Sequence, residues 1–215
     1  MPKNTIQQLA ILLMAAGCSS RLGQPKQLIE ITEKNQLPQS LLHRQIAMID
    51  AICSTHNAEA YCVLGFQYEK LATHLVNFKP ADNVRLVNNV NWSTGLSSSI
   101  AKGVSSLDND VDAVLVFMVD QWRLTIEDLT RLITSWKQQP NKIHIASNGR
   151  QFSPPVIFPK DYFNELTLLS GNSGAKPVIK QHIKHVSLVD IHNAFTDLDT
   201  PKQLQELIKY NNELS

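Results

Sequence analysis

Short apolar runs alternate along the chain with stretches in which apolar residues recur at helical spacing. Apolar runs of strand length predict buried strands, and they lie at Leu9–Met14, Ala60–Gly65, Val84–Val87 and Asp112–Val119. Apolar residues three and four positions apart predict amphipathic helices, and they occur over residues 41–49, at Ser97–Leu107 and at Ile126–Trp136. Because strands and helices alternate, we expect an α/β fold with a mostly parallel sheet covered on both faces.

The second half of the chain continues this alternation. Ile143–Ala146 and Val156–Phe158 predict two further strands. Between them, Asn148–Pro155 is rich in turn-forming residues and predicts a loop. No internal repeat, low-complexity tract or linker divides the chain. We therefore predict an N-terminal tail over residues 1–8 and one domain over residues 9–211.

The last helix has a clear predicted start. Thr200 is placed as its N-cap, Pro201 occupies the first helical position and Gln203 completes a capping box. The predicted buried face of this helix consists of Leu204, Leu207 and Ile208.

Composition excludes several classes of protein. The chain has 215 residues, 43% of them hydrophobic, which indicates a soluble globular protein. Its formal net charge of +1 does not indicate the basic surface of a protein that binds nucleic acid. Leu9–Ala16 is too short to span a membrane, and we expect no targeting segment because residues 1–8 have no long apolar core and no cleavage-type site. Cys18, Cys53 and Cys62 form no Cys-x-x-Cys pair, which predicts a reducing compartment, the cytoplasm.

The loop after the first predicted strand carries the strongest chemical signal. It contains Gly17 and Gly23, which allow close approach of the backbone to a ligand, and two cations, Arg21 and Lys26. Successive free N–H groups in such a loop form a concavity that binds anions. The spacing fits neither a Walker loop nor a Gly-x-Gly-x-x-Gly dinucleotide loop. The loop therefore predicts phosphate binding of another type.

Residues 13–26 read Leu-x-Ala-Ala-Gly-x-Ser-x-Arg-x-Gly-x-x-Lys. This pattern resembles the nucleotidyltransferases of the molybdenum-cofactor cytidylyltransferase type. The resemblance implies a single-domain, Rossmann-like three-layer nucleotidyltransferase fold with a mixed, mostly parallel sheet. It also implies a magnesium-dependent reaction that transfers CMP from CTP to the phosphate of molybdopterin and releases pyrophosphate.

The resemblance further implies which residues form the site. Arg21, Lys26 and Asp120 would be catalytic. The nucleotide would be bound by the loop and by a glycine–serine turn at a helix start, through Ala15, Ala16, Gly17, Cys18, Ser19, Ser20, Arg21, Gly23, Lys26, Gly95, Ser98 and Ser99. We expect the Cys18 side chain to be a small filler in this loop and not a nucleophile.

Two aspartates are candidate ligands for Mg²⁺. Asp120 leaves a buried run, where a carboxylate suits a hard cation, although it could also cap a turn. The family has a metal-binding aspartate here, but this chain lacks the glycine before it and the proline that usually follows. Residues 196–201 match the family motif Asp-Ile-Asp-Thr-Pro, and we expect Asp197 as the second ligand because Asp199 can interact with the helix dipole.

The chain departs from the family on the expected acceptor side. Ser153-Pro154-Pro155 replaces a Gly-His-Pro turn, and residues 171–176 lack the acidic residue and the arginine of Gly-Asp-x-Gly-Ala-Arg. Two alternatives therefore stay open, namely a nucleotidyltransferase for a sugar or alditol phosphate, and a catalytically weak carrier of molybdenum cofactor. Expected partners are CTP or another NTP, a phosphorylated acceptor such as molybdopterin, and a molybdenum hydroxylase or its chaperone, with no nucleic acid or membrane. His182, His185 and His192 are expected at the surface.

Overall fold

The computed structural model describes residues 7–32 and 37–214. Residues 1–6 of the predicted N-terminal tail lie outside the described residues. The described strands are β1 (Leu9–Met14), β2 (Glu30–Ile31), β3 (Gln39–Ser40), β4 (Ala58–Leu64), β5 (Val84–Asn88), β6 (Ala113–Met118), β7 (Ile143–Ser147), β8 (Phe152–Pro159) and β9 (Val186–Asp190). Strands β2 and β3 pair with each other, and the other seven form one sheet.

Helices connect the strands, as the alternating pattern predicts. They are α1 (Leu41–Cys53), α2 (Tyr68–Leu75), α3 (Leu96–Val104), α4 (Ile126–Gln138), α5 (Phe163–Thr167), α6 (Lys176–Gln181) and α7 (Pro201–Leu214). Within the described ranges, we find no helix with both the length and the apolar character needed to cross a bilayer.

The order of strands across the sheet is β5-β4-β1-β6-β8-β7-β9, and of these β8 runs antiparallel to its two neighbours. Strand β1 lies between β4 and β6, parallel to both, and Met14 is in register with Met118 of β6. The segments that follow β1 and β6 therefore leave the sheet side by side at its carboxyl edge, where ligands bind in open α/β sheets. The expected α/β fold with a mixed, mostly parallel sheet is confirmed.

Strand β1 is buried on both faces of the sheet. Its side chains alternate between two apolar cores because successive side chains of a strand point to opposite faces. Leu9, Ile11 and Leu13 pack with residues of α1, α2 and α4, whereas Ala10 and Leu12 pack with residues of α3, α5 and α6. These two cores explain why the first strand reads as an uninterrupted apolar run.

A third apolar cluster attaches the last helix to the loop after β1. Leu207 of α7 packs there with Leu22 of the loop and with Trp122. The predicted capping box is present, since Gln203 N donates to Thr200 Oγ1 at 3.4 Å and Thr200 N donates to Gln203 Oε1 at 2.9 Å. The prediction of a buried face was wrong for Ile208, which is 48% exposed. The third apolar cluster packs against the side of α7 that carries Leu204, Leu207 and Tyr210.

The predicted loop over Asn148–Pro155 was too long. Strand β8 begins at Phe152, and its first residues pair with β7 after a shift in register between Ile145 and Ala146. Backbone pairing across this bulge recruits Phe152–Pro155 into the strand although their sequence is typical of a turn. This extension places Ser153 and Pro154 near the carboxyl edge of the sheet.

Candidate active site

The loop after β1 is folded around Ser19. Its backbone has φ of +53° at Ser19 and +74° at Gly23, two left-handed positions that reverse the chain. Ser19 O accepts hydrogen bonds from the N–H groups of Leu22 at 2.9 Å and Gly23 at 3.2 Å. Ser19 Oγ also accepts from Lys26 N at 3.2 Å. These contacts set where Lys26 leaves the loop.

Gln27 holds the start of the same loop from inside the protein. Its fully buried side chain donates from Nε2 to Ala15 O at 2.8 Å and to Gly17 O at 3.0 Å. Those two carbonyl groups thereby have a hydrogen-bond partner in the interior of the protein. The sequence pattern did not identify Gln27, whose adjacency to Lys26 was the one available signal.

The two loop cations converge on two carboxylates. Lys26 Nζ donates to Asp120 Oδ2 and, at 2.9 Å, to Asp199 Oδ1. Arg21 Nη2 donates to Asp199 Oδ2 at 3.0 Å. The structure thus brings together Arg21, Lys26 and Asp120, the three predicted catalytic residues, and adds Asp199, for which the sequence suggested a helix-dipole role.

The segment that contains Asp197 and Asp199 is attached to the residues after β6. Leu198 N donates to Asp120 O at 3.1 Å, and Gln121 forms an isolated antiparallel bridge with Asp197. The buried Gln121 side chain also donates to Pro154 O and to Ala194 O, so one amide joins three segments. Sequence reasoning missed this contribution of Gln121.

Trp122 shapes this turn where the family usually has proline. Its side chain is buried in the third apolar cluster, and its ring meets Tyr210 of α7 edge-to-face at 5.1 Å between centroids. Trp122 N donates to Asp120 O at 2.9 Å, which closes the turn. Burial of this side chain therefore supports the Asp120 loop in place of a rigid proline.

The carboxylates outnumber the one buried cation beside them. Burial, together with repulsion from Asp120 and Asp199, raises the pKa of Asp197 to about 7. Burial lowers the pKa of Lys26, but attraction to Asp120 and Asp199 outweighs this, so its pKa is raised and it remains charged. Asp120 Oδ1 is buried and has no hydrogen-bond partner among the described residues. An unpartnered carboxylate oxygen within such an acidic group suits a hard divalent cation.

Two cavities meet at this cluster. The first, here called the donor cavity, has a volume of about 460 Å³ and is lined by the loop, Lys26, Asp120, Asp199 and the turn around Trp92. The second, here called the acceptor cavity, has a volume of about 580 Å³ and lies between α3, β8 and α6. Both are lined by Arg21, Leu96, Met118, Asp120 and Asp199. Ligands in the two cavities would therefore face each other across the same charged groups.

The predicted nucleotide-binding residues are placed unevenly around the donor cavity. Those that line it are Ala15, Ala16, Gly17, Cys18, Ser19, Ser20, Arg21, Lys26, Gly95 and Ser99. Gly23 shapes the loop but does not line the donor cavity. Ser98 does not line it either, because its hydroxyl group donates to Gly95 O at 2.9 Å and accepts from Asn89 Nδ2 at 3.1 Å within the turn. Gly95, at φ +116°, packs so closely on Gly171 and Asn172 that a side chain would not fit.

Other candidate groups lie apart from this site. Among the described residues, carboxylates of Glu59, Asp108 and Asp110 cluster at the amino ends of β4 and β6, the opposite edge of the sheet, where Arg85 pairs with Asp108 at 2.7 Å. His185 and His192 are exposed, and His182 contacts Glu165 at 2.9 Å. These three histidines thus stand near the surface, and none of them lines either cavity.

The chain matches the family described as MobA-like NTP transferase domain over residues 11–186. Purine catabolism protein PucB of Bacillus subtilis is 22% identical over 198 residues, 89% of this chain and 92% of that protein. A molybdenum cofactor guanylyltransferase of Shewanella woodyi is 23% identical over 204 residues, 91% and 93% of the two chains. Rv0371C of Mycobacterium tuberculosis H37Rv, solved in complex with manganese, superposes with a TM-score of 0.69 at 18% identity, covering 95% of this chain and 100% of that one. The chain therefore belongs to the family of MobA-like NTP transferase domains.

Proposed function

We propose that this protein transfers CMP from CTP to the terminal phosphate of molybdopterin and releases pyrophosphate. The observation that carries this proposal is the meeting of the donor and acceptor cavities at Arg21, Asp120 and Asp199, with Lys26 held between the two carboxylates. A group-transfer enzyme needs two ligands in contact at one charged point, and a carrier needs only one cavity.

In the proposed reaction, an oxygen of the acceptor phosphate attacks the α-phosphorus of the donor. The bond from the α-phosphorus to the oxygen shared with the β-phosphorus breaks, and pyrophosphate leaves with that electron pair. Arg21 and Lys26 would stabilise the charge on the leaving pyrophosphate, and the loop N–H groups between Ala16 and Ser20 would hold the phosphates. Positioning and charge stabilisation are thus the whole contribution of the protein.

Magnesium is the cofactor we propose. Asp120, with its unpartnered Oδ1, and Asp197, whose pKa is raised by burial and by its carboxylate neighbours, would hold the ion. When bound, a divalent cation supplies charge neutralisation for the triphosphate. Asp199 is committed to the two loop cations through both of its oxygens, which supports Asp197 as the second ligand.

The walls of the acceptor cavity favour a flat ring system over a sugar or an alditol. One part of the wall is apolar and consists of Ile100, Val116, Ile145, Phe152, Val156, Ile179 and Phe195, while Gln151, Ser153, Ser173 and Lys176 are polar residues that also line the cavity. A hydroxyl group buried against the apolar part of the wall would lack a partner, at a cost of about 1–3 kcal/mol. Lys176 at the same cavity provides a cation for an acceptor phosphate.

Pyrophosphate release tests the proposed function directly. Wild-type protein with Mg²⁺ would be incubated with each of the four NTPs, together with molybdopterin, a sugar phosphate or an alditol phosphate. We expect release that requires both an NTP and molybdopterin. Release with a polyol phosphate alone would replace the acceptor in this proposal, and no release with any pair would contradict enzymatic activity and favour the carrier.

CTP should be the preferred donor over GTP. Ala16 is buried and lines the donor cavity, where its methyl group narrows the space for a base. A methyl group gives about 1–3 kcal/mol of discrimination, so we expect a preference of about tenfold or more in kcat/KM. Ala16→Gly should improve use of GTP relative to CTP.

Because a relative carries the name guanylyltransferase, faster turnover of GTP by the wild type at matched subsaturating concentrations would reverse the assignment. The control is Ala146→Gly, which removes a buried methyl group from β7 and should leave the ratio of kcat/KM for CTP and GTP unchanged.

A further inference from the structure

Trp92 differs from the other two tryptophans of the chain in its surroundings. Trp122 and Trp136 are 2% and 1% exposed, and each lies in an apolar core. Trp92 is half-buried and lines the donor cavity. Among the described residues that line this cavity, Trp92 is the one aromatic side chain.

The structure holds the Trp92 side chain in place from behind. A Cβ at Gly65 would lie 2.4 Å from Trp92 Cβ and 2.7 Å from its Cγ, so the absence of a side chain at Gly65 allows the indole to sit where it does. Phe66 meets the ring edge-to-face at 5.3 Å between centroids. The Trp92 backbone is fixed by hydrogen bonds to Asn89 and Gly95, both of 3.2 Å. The ring is therefore a preorganised wall of the cavity.

The sheet places Trp92 and the charged cluster at opposite ends of the donor cavity. The Trp92 side chain packs on Gly65, which follows β4, whereas Asp120 follows β6, and the strand order β4-β1-β6 separates them by two strand spacings. At about 4.8 Å per spacing this amounts to about 10 Å, comparable with the distance between the base and the phosphates of a nucleotide. A triphosphate bound to Lys26 and Arg21 would thus leave its base at the Trp92 end.

We propose that the Trp92 indole is the platform on which the nucleobase of the donor stacks. The proposal rests on the proposed function, because it takes the phosphate end of the nucleotide from Lys26 and Arg21. An indole has a large apolar face that suits any base, and stacking of a base on an aromatic side chain is sequence-tolerant. Trp92 therefore increases affinity for the donor, while discrimination between bases is left to Ala16 at the cavity wall.

Intrinsic fluorescence isolates this residue, because the two other tryptophans are buried and do not line the cavity. CTP, GTP and inorganic tripolyphosphate would be titrated into the wild type, Trp92→Leu, Trp92→Phe and Trp136→Phe, with calorimetry run in parallel. We expect both nucleotides, but not tripolyphosphate, to quench the wild type and Trp136→Phe. Quenching should disappear in both Trp92 variants.

Calorimetry should show that Trp92→Leu weakens nucleotide binding about tenfold while tripolyphosphate binds as in the wild type. Trp92→Phe, which keeps an aromatic face, should recover most of the affinity for nucleotides. Unchanged quenching in Trp92→Leu, or equal quenching of the wild type by tripolyphosphate, would overturn the stacking role and leave the transferase proposal standing. Absence of calorimetric binding of any nucleotide to the wild type would contradict the proposed function itself.

Discussion

Replacing Lys26 by alanine should lower the rate of nucleotidyl transfer about a hundredfold or more, measured as pyrophosphate release at saturating donor. In the proposed reaction the lysine stabilises charge on the leaving pyrophosphate, and among the described residues no other cation pairs with Asp120. The structure also predicts a loss of stability in this variant. The side chains of Lys26 and Asp120 are 13% and 8% exposed, so removing the lysine leaves a buried carboxylate without its cation. This should lower the free energy of unfolding by about 3 kcal/mol.

A double variant separates the two effects of losing Lys26. In Lys26→Ala/Asp120→Asn the buried charge is absent as well, so we expect thermal stability to recover towards that of the wild type while transfer stays lost. Lys70→Ala, an exposed change on α2, should alter neither quantity. If the folded single variant released pyrophosphate at the wild-type rate, Lys26 would have no catalytic role.

Asp120→Asn should abolish metal-dependent transfer, with a loss of about a hundredfold or more, because an amide keeps the shape of the side chain but removes the anionic ligand. Lys26 retains its contact of 2.9 Å with Asp199, so the variant should fold. The measurement is binding of Mn²⁺ as a probe, with and without CTP, together with a magnesium titration of activity. We expect weaker Mn²⁺ binding by the variant in both conditions.

The acidic cluster at the opposite edge of the sheet provides the matched control for Asp120. Asp110→Asn removes one carboxylate from the group of Glu59, Asp108 and Asp110, the other place among the described residues where acidic side chains converge. This variant should bind Mn²⁺ and transfer nucleotide as the wild type does. If Asp110→Asn lost metal dependence and Asp120→Asn retained it, the metal site would lie at the amino edge. An Asp120→Asn protein with most of its rate and slightly reduced stability would show that Asp120 caps a turn.

Local signals in the sequence were enough for the fold and for the phosphate loop. The apolar run Leu9–Met14 is too short and too uniform for any element except a strand buried on both faces, and the structure has β1 at those residues. Thr200, Pro201 and Gln203 likewise define the start of α7 by contacts within one turn of chain. In both cases the interactions that specify the structure join residues close in sequence, so a single sequence contains them.

Contacts between distant segments were decided by the tertiary structure. Asp199 reads as a residue near a helix start, but its carboxylate binds Arg21 and Lys26, which precede it by 178 and 173 residues. Gln27 and Gln121 have no pattern in the sequence, and their role appears once folding brings unpaired carbonyl groups to their amides. The strand extension at Phe152–Pro155 depends in the same way on its partner β7. By itself, then, the sequence determined the α/β fold and the loop with Lys26. The counter-ions, hydrogen bonds and cavity walls around that loop depended on side chains that meet only after the sheet has formed.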